Sequence, residues 1–300
     1  MLGIGGDSMK EKLGLVFGGG GGKGAYQIGV WRALHEAGID KKITCVAGTS
    51  IGALNGALFC MGNLSDAEKI WSEISPDLIL TQQDIHTCCK SLLKYEQGTC
   101  ADGWFSNTGL KQLIDSAVDP RILKNGVRDF YVTAAKLQKY PLFYNFVKRH
   151  SEDNILTRIG SLLAIRFFKY QTAPVYFDIC RQKTALIPDI LLASSAIPLI
   201  FPDITIEGNH YIDGGIEDNV PIAPLYQKGI RKYIVVTMEE RDKTCTKCFP
   251  EAEIIHINLE ESALQNLTGT LDFHPQNAKK RMEQGYQDGM QNIARILELQ

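Results

Sequence analysis

Two strand-to-helix turns near the start of the chain constrain its fold more than any other feature. The apolar run 13–17 leads into a glycine cluster and then into a helical pattern over residues 25–37. The β-branched run 43–47 leads into a second glycine turn and an apolar helical pattern over residues 51–61. A β-α-β-α order places the two strands parallel in one sheet, with helices on its faces. We therefore expect an α/β fold with three layers, α/β/α, and a mainly parallel central sheet.

The composition of the 300 residues is that of an ordinary folded chain. Hydrophobic residues make up 44% and charged residues 22%, which excludes a disordered chain, a collagen and a coiled coil. The net charge of -2 argues against a nucleic-acid partner, because nucleic-acid binding normally needs a basic excess. The eight cysteines are scattered, several of them in apolar runs, and this pattern indicates a reducing compartment.

The chain shows no targeting or membrane-spanning pattern. Residues 1–12 are rich in glycine and mixed in charge, unlike a signal peptide, and we interpret them as a leader of no structural weight. No apolar run approaches the 18 or so residues of a membrane span. We expect a cytoplasmic protein that meets a membrane only from its surface. The predicted domain covers residues 13–259, and a helical segment over 260–300 packs on it.

Spacing and turn residues predict the remaining elements. The hairpin is recognised by a glycine-containing tip between two short β-branched runs, and the last helix by its amphipathic period. The predicted elements are a helix capped by Ser65 that ends at Ile74, a helix capped by Asn107 that ends near Val118, a central strand over 130–135, a hairpin over 205–212 with Gly208 and Asn209 at its tip, strands over 232–238 and 253–259, and a helix over 275–299.

The glycine cluster over residues 18–24 predicts a site for an anion. A run so poor in side chains exposes backbone N–H groups at a helix N-terminus, where a phosphate or a developing oxyanion is stabilised. A Walker loop would need Gly at position 17 and Ser or Thr at position 24, but the chain has Phe17 and Gly24. A dinucleotide fingerprint fits the glycine spacing, but the next strand lacks the terminal acid that binds the ribose. We therefore expect no nucleotide.

The second turn, Gly-Thr-Ser-Ile-Gly over residues 48–52, has the pattern of a nucleophile elbow. In this motif a strand, a tight turn and a helix present a serine hydroxyl, and the flanking glycines permit the turn. Ser50 is therefore the candidate nucleophile. The alternative is that Ser50 only caps the helix, but capping does not require Gly48 and Gly52 on both sides.

A serine nucleophile needs a base, and the residues alone leave two kinds of candidate. A Ser-Asp-His triad would take a histidine late in the chain, which points to His256 or His274. The other candidate is Asp213, in Tyr-Ile-Asp-Gly-Gly-Ile directly after the predicted hairpin. An aspartate before two glycines is also a common turn residue, so its position alone does not assign it a catalytic role.

Four blocks of sequence together resemble the patatin-like phospholipases in their order and spacing. They are the glycine-rich stretch over 15–30, Gly-Thr-Ser-Ile-Gly over 48–52, Ala-Ser-Ser-Ala-Ile-Pro over 193–198, and Asp-Gly-Gly over 213–215 with Asn219 and Pro221 beyond it. The resemblance runs from about residue 13 to residue 237, with a weaker echo over 271–273 and in the terminal helix.

The resemblance implies a patatin-like fold and a Ser-Asp dyad without histidine, with Ser50 as nucleophile and Asp213 as base. It also implies a lipid acyl hydrolase of phospholipase A or lysophospholipase type, acting on fatty acyl esters. We expect no cofactor. The alternatives on the same fold are a catalytically silent lipid-binding or interaction protein and an acyltransferase. The implied supporting residues are the oxyanion-hole residues Gly19, Gly20, Gly21, Gly22, Lys23 and Gly24, the elbow glycines Gly48 and Gly52, and the motif glycines Gly214 and Gly215.

One region departs from the family pattern. A proline-plus-aromatic motif occurs twice, over 140–145 and 173–178, and only one copy can be the family's hairpin. We therefore expect residues 138–173 to contain an insertion or lid. The surrounding segment 139–183 is basic and aromatic, and it either lies against an anionic lipid surface or packs its aromatic residues inward. Cys245 and Cys248 have the spacing of half a zinc site, but no second pair accompanies them, so we expect no metal.

Overall fold

The computed structural model describes residues 12–82, 105–139, 171–198, 200–238, 246–260 and 269–299. The strands are β1 (Leu13–Phe17), β2 (Ile43–Thr49), β3 (Thr81–Gln82), β4 (Phe105–Ser106), β5 (Asp129–Lys139), β6 (Gln171–Asp178), β7 (Ile204–Ile206), β8 (Asn209–Asp213), β9 (Lys232–Thr237) and β10 (Glu253–Asn258). The α-helices are α1 (Ala25–Glu36), α2 (Ile51–Met61), α3 (Leu64–Glu73), α4 (Pro76–Ile79), α5 (Thr108–Ala117), α6 (Pro120–Lys124), α7 (Ile187–Ser194), α8 (Ala223–Gln227) and α9 (Pro275–Glu298).

Eight of these strands form one mixed sheet. The order is β10-β9-β1-β2-β5-β8-β7, and β6 pairs with the other edge of β5. Strands β10, β9, β1, β2 and β5 run parallel, whereas β6, β7 and β8 pair antiparallel at one side of the sheet. The predicted mainly parallel sheet is confirmed.

Strands β2 and β8 both pair with the same edge of β5, along successive parts of that strand. Strand β2 pairs with residues 129–133 of β5 and β8 pairs with residues 134–136, while β6 pairs along residues 131–139. Because a strand has only two hydrogen-bonding edges, β6 occupies one and β2 and β8 share the other. Strands β2 and β8 run in opposite directions, so their carboxyl ends meet beside Thr133 and Ala134.

Helices cover both faces of the sheet, as the sequence predicts. Successive residues of β1 point into different cores: Leu15 and Phe17 into the larger one, Val16 into the smaller one. The larger core is closed by α1, α2, α3, α7 and α9, and the smaller by α8 with Leu225. The alternation follows from the two-residue period of a strand, which exposes successive side chains to opposite faces.

Helix α9 lies against α1 with the two backbones in contact. A Cβ atom at Gly29 would lie 1.9 Å from the Met282 carbonyl oxygen, and one at Gly285 would lie 2.0 Å from the Tyr26 carbonyl oxygen. Any side chain at these positions would force the helices apart. The Tyr26 hydroxyl also donates to Asp288 Oδ2 at 2.7 Å, which holds the pair in register.

Two local predictions were wrong by one or two residues. Helix α3 begins at Leu64, and its cap is Asn63 rather than Ser65, because the Asn63 side chain accepts a hydrogen bond from the Asp66 amide at 3.2 Å. An asparagine is as good a cap as a serine, and the sequence offers both.

The hairpin tip is Glu207-Gly208 rather than Gly208-Asn209. Both Glu207 and Gly208 have positive φ, 48° and 78°, which is the pattern of a type I′ turn. Asn209 already pairs with Ile206 as the first residue of β8. The sequence-based prediction placed the tip one residue too late, because glutamate rarely adopts the left-handed conformation.

The described strands include both ends of the predicted insertion. Residues 138–139 belong to β5 and residues 171–173 to β6, and the second proline-plus-aromatic motif lies in β6. Residues 140–170, which hold the first motif and most of the basic aromatic segment, lie outside the described residues. Among the helices described, none is at once long enough and apolar enough to cross a membrane.

Candidate active site

Ser50 lies in a tight turn between β2 and α2 with a rare backbone conformation. Its φ is 55° and its ψ is -128°, a combination that costs a non-glycine residue about 1–3 kcal/mol. The neighbouring glycines make the turn possible. A Cβ atom at Gly48 would lie 2.3 Å from the Gly52 carbonyl oxygen, and one at Gly52 would lie 2.2 Å from the Phe17 carbonyl oxygen. Both glycines are therefore required by close backbone packing.

The Ser50 hydroxyl donates to the Asp213 carboxylate. The Ser50 Oγ to Asp213 Oδ2 distance is 2.6 Å, and each residue is only 6% exposed. The second oxygen, Oδ1, accepts from the Gly215 amide at 2.7 Å. Close packing also demands glycine at position 214, where a Cβ atom would lie 2.3 Å from the Thr133 carbonyl oxygen. The Asp-Gly-Gly turn thus aims the carboxylate at the serine.

Burial changes the acidity of Asp213. Desolvation raises its pKa from the ordinary 3.8 to about 6, while the hydrogen bonds from Ser50 and from the Gly215 amide oppose the shift. A carboxylate with a pKa near 6 is ionised at neutral pH and accepts a proton more readily than an ordinary aspartate. This is the property that a general base requires.

The side chain of Ser194 also binds the elbow. The Ser194 hydroxyl accepts from the Ser50 amide at 2.9 Å and donates to the Thr133 carbonyl at 2.6 Å. Ser194 ends α7 and is fully buried. It links the strained Ser50 backbone to β5, and its position within the block 193–198 gave no indication of this contact.

The six residues of the predicted oxyanion hole have different surroundings. The amides of Gly19, Gly22 and Lys23 already donate to the carbonyls of Asn219, Thr270 and Gly20 respectively. Among the described residues, the amides of Gly20 and Gly21 have no protein acceptor, and both glycines line the cleft that contains Ser50 and Asp213. These two amides are the ones available to a ligand.

Gly22 and Gly24 serve packing instead. A Cβ atom at Gly22 would lie 2.2 Å from the Asp272 carbonyl oxygen, and one at Gly24 would lie 2.5 Å from Ile51 Cγ1. The Lys23 ammonium is held inside the protein, where it donates to the Met238 carbonyl at 2.9 Å. The lysine side chain is 2% exposed, so it secures the loop from within.

The cleft that contains Ser50 and Asp213 is lined by both apolar and polar groups. Ile197, Pro198 and Ile216 contribute its apolar lining, and the glycine loop, Asn219 and Thr270 contribute polar groups. A cleft of this mixed lining can bind a ligand that has both an apolar part and a polar group.

Asp218 and Asn219, shortly after the Asp-Gly-Gly turn, are joined by hydrogen bonds to the elbow and to the glycine loop. Thr49 is the residue before Ser50, and its hydroxyl donates to the Asp218 carbonyl at 2.9 Å. The Asn219 carbonyl accepts from the Gly19 amide at 3.2 Å, so the same segment also binds the glycine loop. A third hydrogen bond, from the Tyr176 hydroxyl to Asp218 Oδ2 at 2.7 Å, ties the same residues to β6.

The histidines considered as bases lie elsewhere. His256 is on β10, three strands away from β2 in the sheet, and His274 precedes α9. Neither lines the cleft that contains Ser50. Cys248 is exposed, and Cys245 lies outside the described residues. The described residues contain no group of three or more His, Cys, Asp or Glu that could hold a metal ion.

The fold and the site place the chain among α/β proteins that carry a serine at a strand-to-helix elbow, paired with a buried aspartate. Within that class, the chain belongs to the patatin-like phospholipase family, whose family model matches residues 15–226.

The curated relatives are much longer than this chain. The lysophospholipase NTE1 of Cryptococcus neoformans is 28% identical over 246 residues, which cover 81% of this chain and 12% of that protein. The lysophospholipase NTE1 of Mycosarcoma maydis is 25% identical over 237 residues, covering 79% of this chain and 10% of that protein. The neuropathy target esterase sws of Drosophila persimilis is 58% identical over 50 residues, or 17% of this chain and 3% of that protein.

Two solved structures align with most of this chain at low sequence identity. VipD from Legionella pneumophila aligns with a TM-score of 0.49 and 15% identity, covering 95% of this chain and 67% of that structure. Human GIVD cytosolic phospholipase A2 aligns with a TM-score of 0.48 and 11% identity, covering 96% and 62% respectively.

Proposed function

We propose that this protein hydrolyses carboxylic esters of fatty acids through an acyl-Ser50 intermediate, with Asp213 as the base. The observation that carries the proposal is the 2.6 Å hydrogen bond from Ser50 Oγ to Asp213 Oδ2, made within a buried elbow. A strained serine beside a carboxylate of raised pKa has the two properties that nucleophilic catalysis needs, presentation and activation.

The proposed reaction has two halves. Ser50 Oγ attacks the ester carbonyl carbon while its proton passes to Asp213 Oδ2, and a tetrahedral oxyanion forms. The bond to the alcohol then breaks, and the proton moves from Asp213 to the departing alkoxide. In the second half a water molecule gives its proton to Asp213 and attacks the acyl carbon. The Ser50 Oγ bond breaks, the proton returns to Ser50, and the fatty acid leaves.

The amides of Gly20 and Gly21 are the proposed oxyanion donors. They border the same cleft as Ser50, and the described residues offer them no other acceptor. A donor of this kind typically contributes about 3–4 kcal/mol to the transition state, because it is oriented before charge develops.

The proposed substrates are phospholipids or lysophospholipids. Membership of the patatin-like phospholipase family and the match to fungal proteins named lysophospholipase support a lipid ester. The apolar lining residues Ile197, Pro198 and Ile216, in the same cleft as Ser50, support an acyl chain as part of the ligand. We propose that the lipid is drawn from a membrane surface, and that residues 13–259 form the catalytic domain on which residues 260–300 pack.

The test uses p-nitrophenyl esters of increasing acyl length with the purified chain. We expect turnover to rise with chain length, and to fall at least about 1,000-fold in Ser50→Ala and Asp213→Asn. Ser116→Ala is the matched control, because Ser116 is exposed on α5 and donates only to the Leu113 carbonyl. It should keep full activity.

A fluorophosphonate probe distinguishes the alternatives on the same fold. Covalent labelling of Ser50 in the wild type, absent in Ser50→Ala, supports an acyl-enzyme. A folded wild type that resists labelling and turnover would identify a lipid-binding protein and overturn the proposal. Acyl transfer to an added alcohol, without release of fatty acid, would overturn hydrolysis in favour of an acyltransferase.

A further inference from the structure

We infer that Arg281, on the C-terminal helix α9, is a positioning residue that holds the glycine loop in place for its proposed oxyanion donors. The inference rests on the proposed function for its catalytic meaning. It concerns residues 269–282, which lie beyond the segment matched by the family model, residues 15–226.

The segment before α9 packs directly on the glycine loop. The Gly22 amide donates to the Thr270 carbonyl at 2.9 Å. A Cβ atom at Gly21 would lie 2.0 Å from the same Thr270 oxygen, and one at Gly22 would lie 2.2 Å from the Asp272 carbonyl oxygen. The loop and the segment are thus in backbone contact, and Thr270 also lines the cleft that contains Ser50.

Arg281 joins these two backbone segments. Its Nη1 atom lies 3.2 Å from Asp272 Oδ2, 3.3 Å from the Asp272 carbonyl oxygen and 3.4 Å from the Gly22 carbonyl oxygen. The residue is only 8% exposed. A buried guanidinium is tolerated when an acid and carbonyl oxygens satisfy it, and Asp272 with the two carbonyls meets that requirement. The side chain therefore bridges the loop and the segment that supports it.

Helix α9 is itself held firmly at the start of α1. The backbones are in contact at Gly29 and Gly285, and the hydrogen bond from Tyr26 to Asp288 holds the two helices in register. Helix α1 begins at Ala25, directly after the loop. Arg281 therefore reaches the loop from α9, a helix that is packed against α1, the helix that directly follows the loop.

The consequence concerns Gly20 and Gly21, whose amides are the proposed donors. They directly precede Gly22. The Gly22 amide is bound by the Thr270 carbonyl, and the Gly22 carbonyl is bound by Arg281. Oxyanion stabilisation depends on donor placement, and a displacement of about 1 Å can cost about 100-fold in rate. Loss of Arg281 should therefore impair the chemical step rather than substrate binding.

The experiment compares Arg281→Gln with Arg32→Gln. Arg32 is the matched control because it also joins α1 to α9, through Glu283 Oε2 at 3.0 Å, and its described partners, Glu283, Glu68 and Tyr286, all lie outside the glycine loop. We expect Arg281→Gln to lower kcat about 10- to 100-fold with KM little changed, and to slow fluorophosphonate labelling of Ser50 in parallel. Arg32→Gln should stay within about twofold of the wild type. Should Arg281→Gln fail to fold, Arg281→Lys, which keeps the charge, should show the same effects to a smaller degree.

Hydrogen exchange of the peptide that spans residues 18–24 gives a readout independent of activity. We expect faster exchange in Arg281→Gln than in Arg32→Gln, since Arg281 would no longer hold the Gly22 carbonyl and Asp272 together, and the hydrogen bond from the Gly22 amide to the Thr270 carbonyl would open more often. Folded Arg281 variants with the kcat, labelling rate and exchange of Arg32→Gln would overturn the inference. A wild type that neither hydrolyses esters nor is labelled would refute the proposed function, and the exchange comparison would still decide whether Arg281 holds the loop.

Discussion

Thr49 and Asp213 pair with adjacent residues on the same edge of β5, Thr133 and Ala134 respectively. They are the last residues of two strands that run in opposite directions, so the end of β2 faces the end of β8. Ser50 follows Thr49 immediately, and its hydroxyl reaches the Asp213 carboxylate at 2.6 Å. The serine and the aspartate are thus brought together by sheet register.

The raised pKa of Asp213 predicts the pH dependence of ester hydrolysis. A base must be ionised, so kcat/KM should be constant above about pH 7 and should fall about tenfold per pH unit below about pH 6. The measurement is a pH–rate profile with a soluble ester. An acid limb near pH 4, the ordinary value for aspartate, would show that Asp213 is not the titrating base.

The same pKa predicts that Asp213→Asn stabilises the fold at neutral pH. Because the pKa of Asp213 is higher in the folded protein, about 6, than the ordinary 3.8, the protonated carboxyl favours folding. This contribution to the free energy of unfolding is fully present below about pH 3.8 and is lost as the pH rises through about 6. An uncharged amide avoids that loss. The gain at pH 8 should be up to about 3 kcal/mol, since each pKa unit is worth about 1.4 kcal/mol. Urea unfolding of both proteins at pH 4 and pH 8 measures it, and equal gains at both pH values would contradict the account.

Ser194→Ala should impair catalysis through the Ser50 backbone. The change removes the acceptor of the Ser50 amide and the donor to the Thr133 carbonyl, which should cost about 1–3 kcal/mol in stability. A relaxed elbow should lower kcat about tenfold or more with little effect on KM.

The matched control for this change is Ser195→Ala. The neighbouring Ser195 hydroxyl is buried but has no hydrogen-bond partner among the described residues. Its removal should leave kcat and the free energy of unfolding nearly unchanged. Equal losses in Ser194→Ala and Ser195→Ala would refute the specific role of Ser194.

Gly29→Ala should destabilise the contact between α1 and α9. The added methyl would lie 1.9 Å from the Met282 carbonyl oxygen, so the helices must separate, at a cost of about 1–3 kcal/mol or more. Gly126→Ala is the control, because its methyl would lie no closer than 3.2 Å to any neighbour. Chemical denaturation should place the unfolding midpoint of Gly29→Ala clearly below that of Gly126→Ala. Similar midpoints would contradict the close helix contact.

Substitution of the two late histidines by glutamine should leave ester hydrolysis within about twofold of the wild type. His256 lies on β10 and His274 precedes α9, and neither borders the cleft. The measurement is kcat/KM for each single variant. A collapse of activity in either folded variant would restore the Ser-Asp-His alternative.

Local pattern was sufficient for much of the fold. The bounds of α1, α2, β9 and β10 fall within a residue or so of the sequence-based ones, because apolar periodicity and glycine punctuation act over a few neighbouring residues. The hairpin tip was displaced because Glu207 takes a positive φ that glutamate seldom adopts. The pairing of β5 with three strands has no local signature, so no sequence pattern could predict it.

The glycine loop shows where sequence reasoning about the site reached its limit. Gly20, Gly21, Gly22 and Gly24 look equivalent in the sequence, since each lacks a side chain and each adjoins the same helix. Their surroundings differ: Gly22 packs on Asp272 and Gly24 on Ile51, while Gly20 and Gly21 line the cleft and their amides have no acceptor among the described residues.

By itself, the sequence determined the α/β class, the two strand-to-helix turns and the chemical types at the site, a serine between glycines and an aspartate before two glycines. Those features depend on backbone propensity and on residues adjacent in the chain. The tertiary structure decided that Ser50 meets Asp213, that Ser194 holds the elbow and that Arg281 reaches the glycine loop. Each of these contacts joins residues more than 140 positions apart, and only the register of the sheet and the packing of helices bring such residues together.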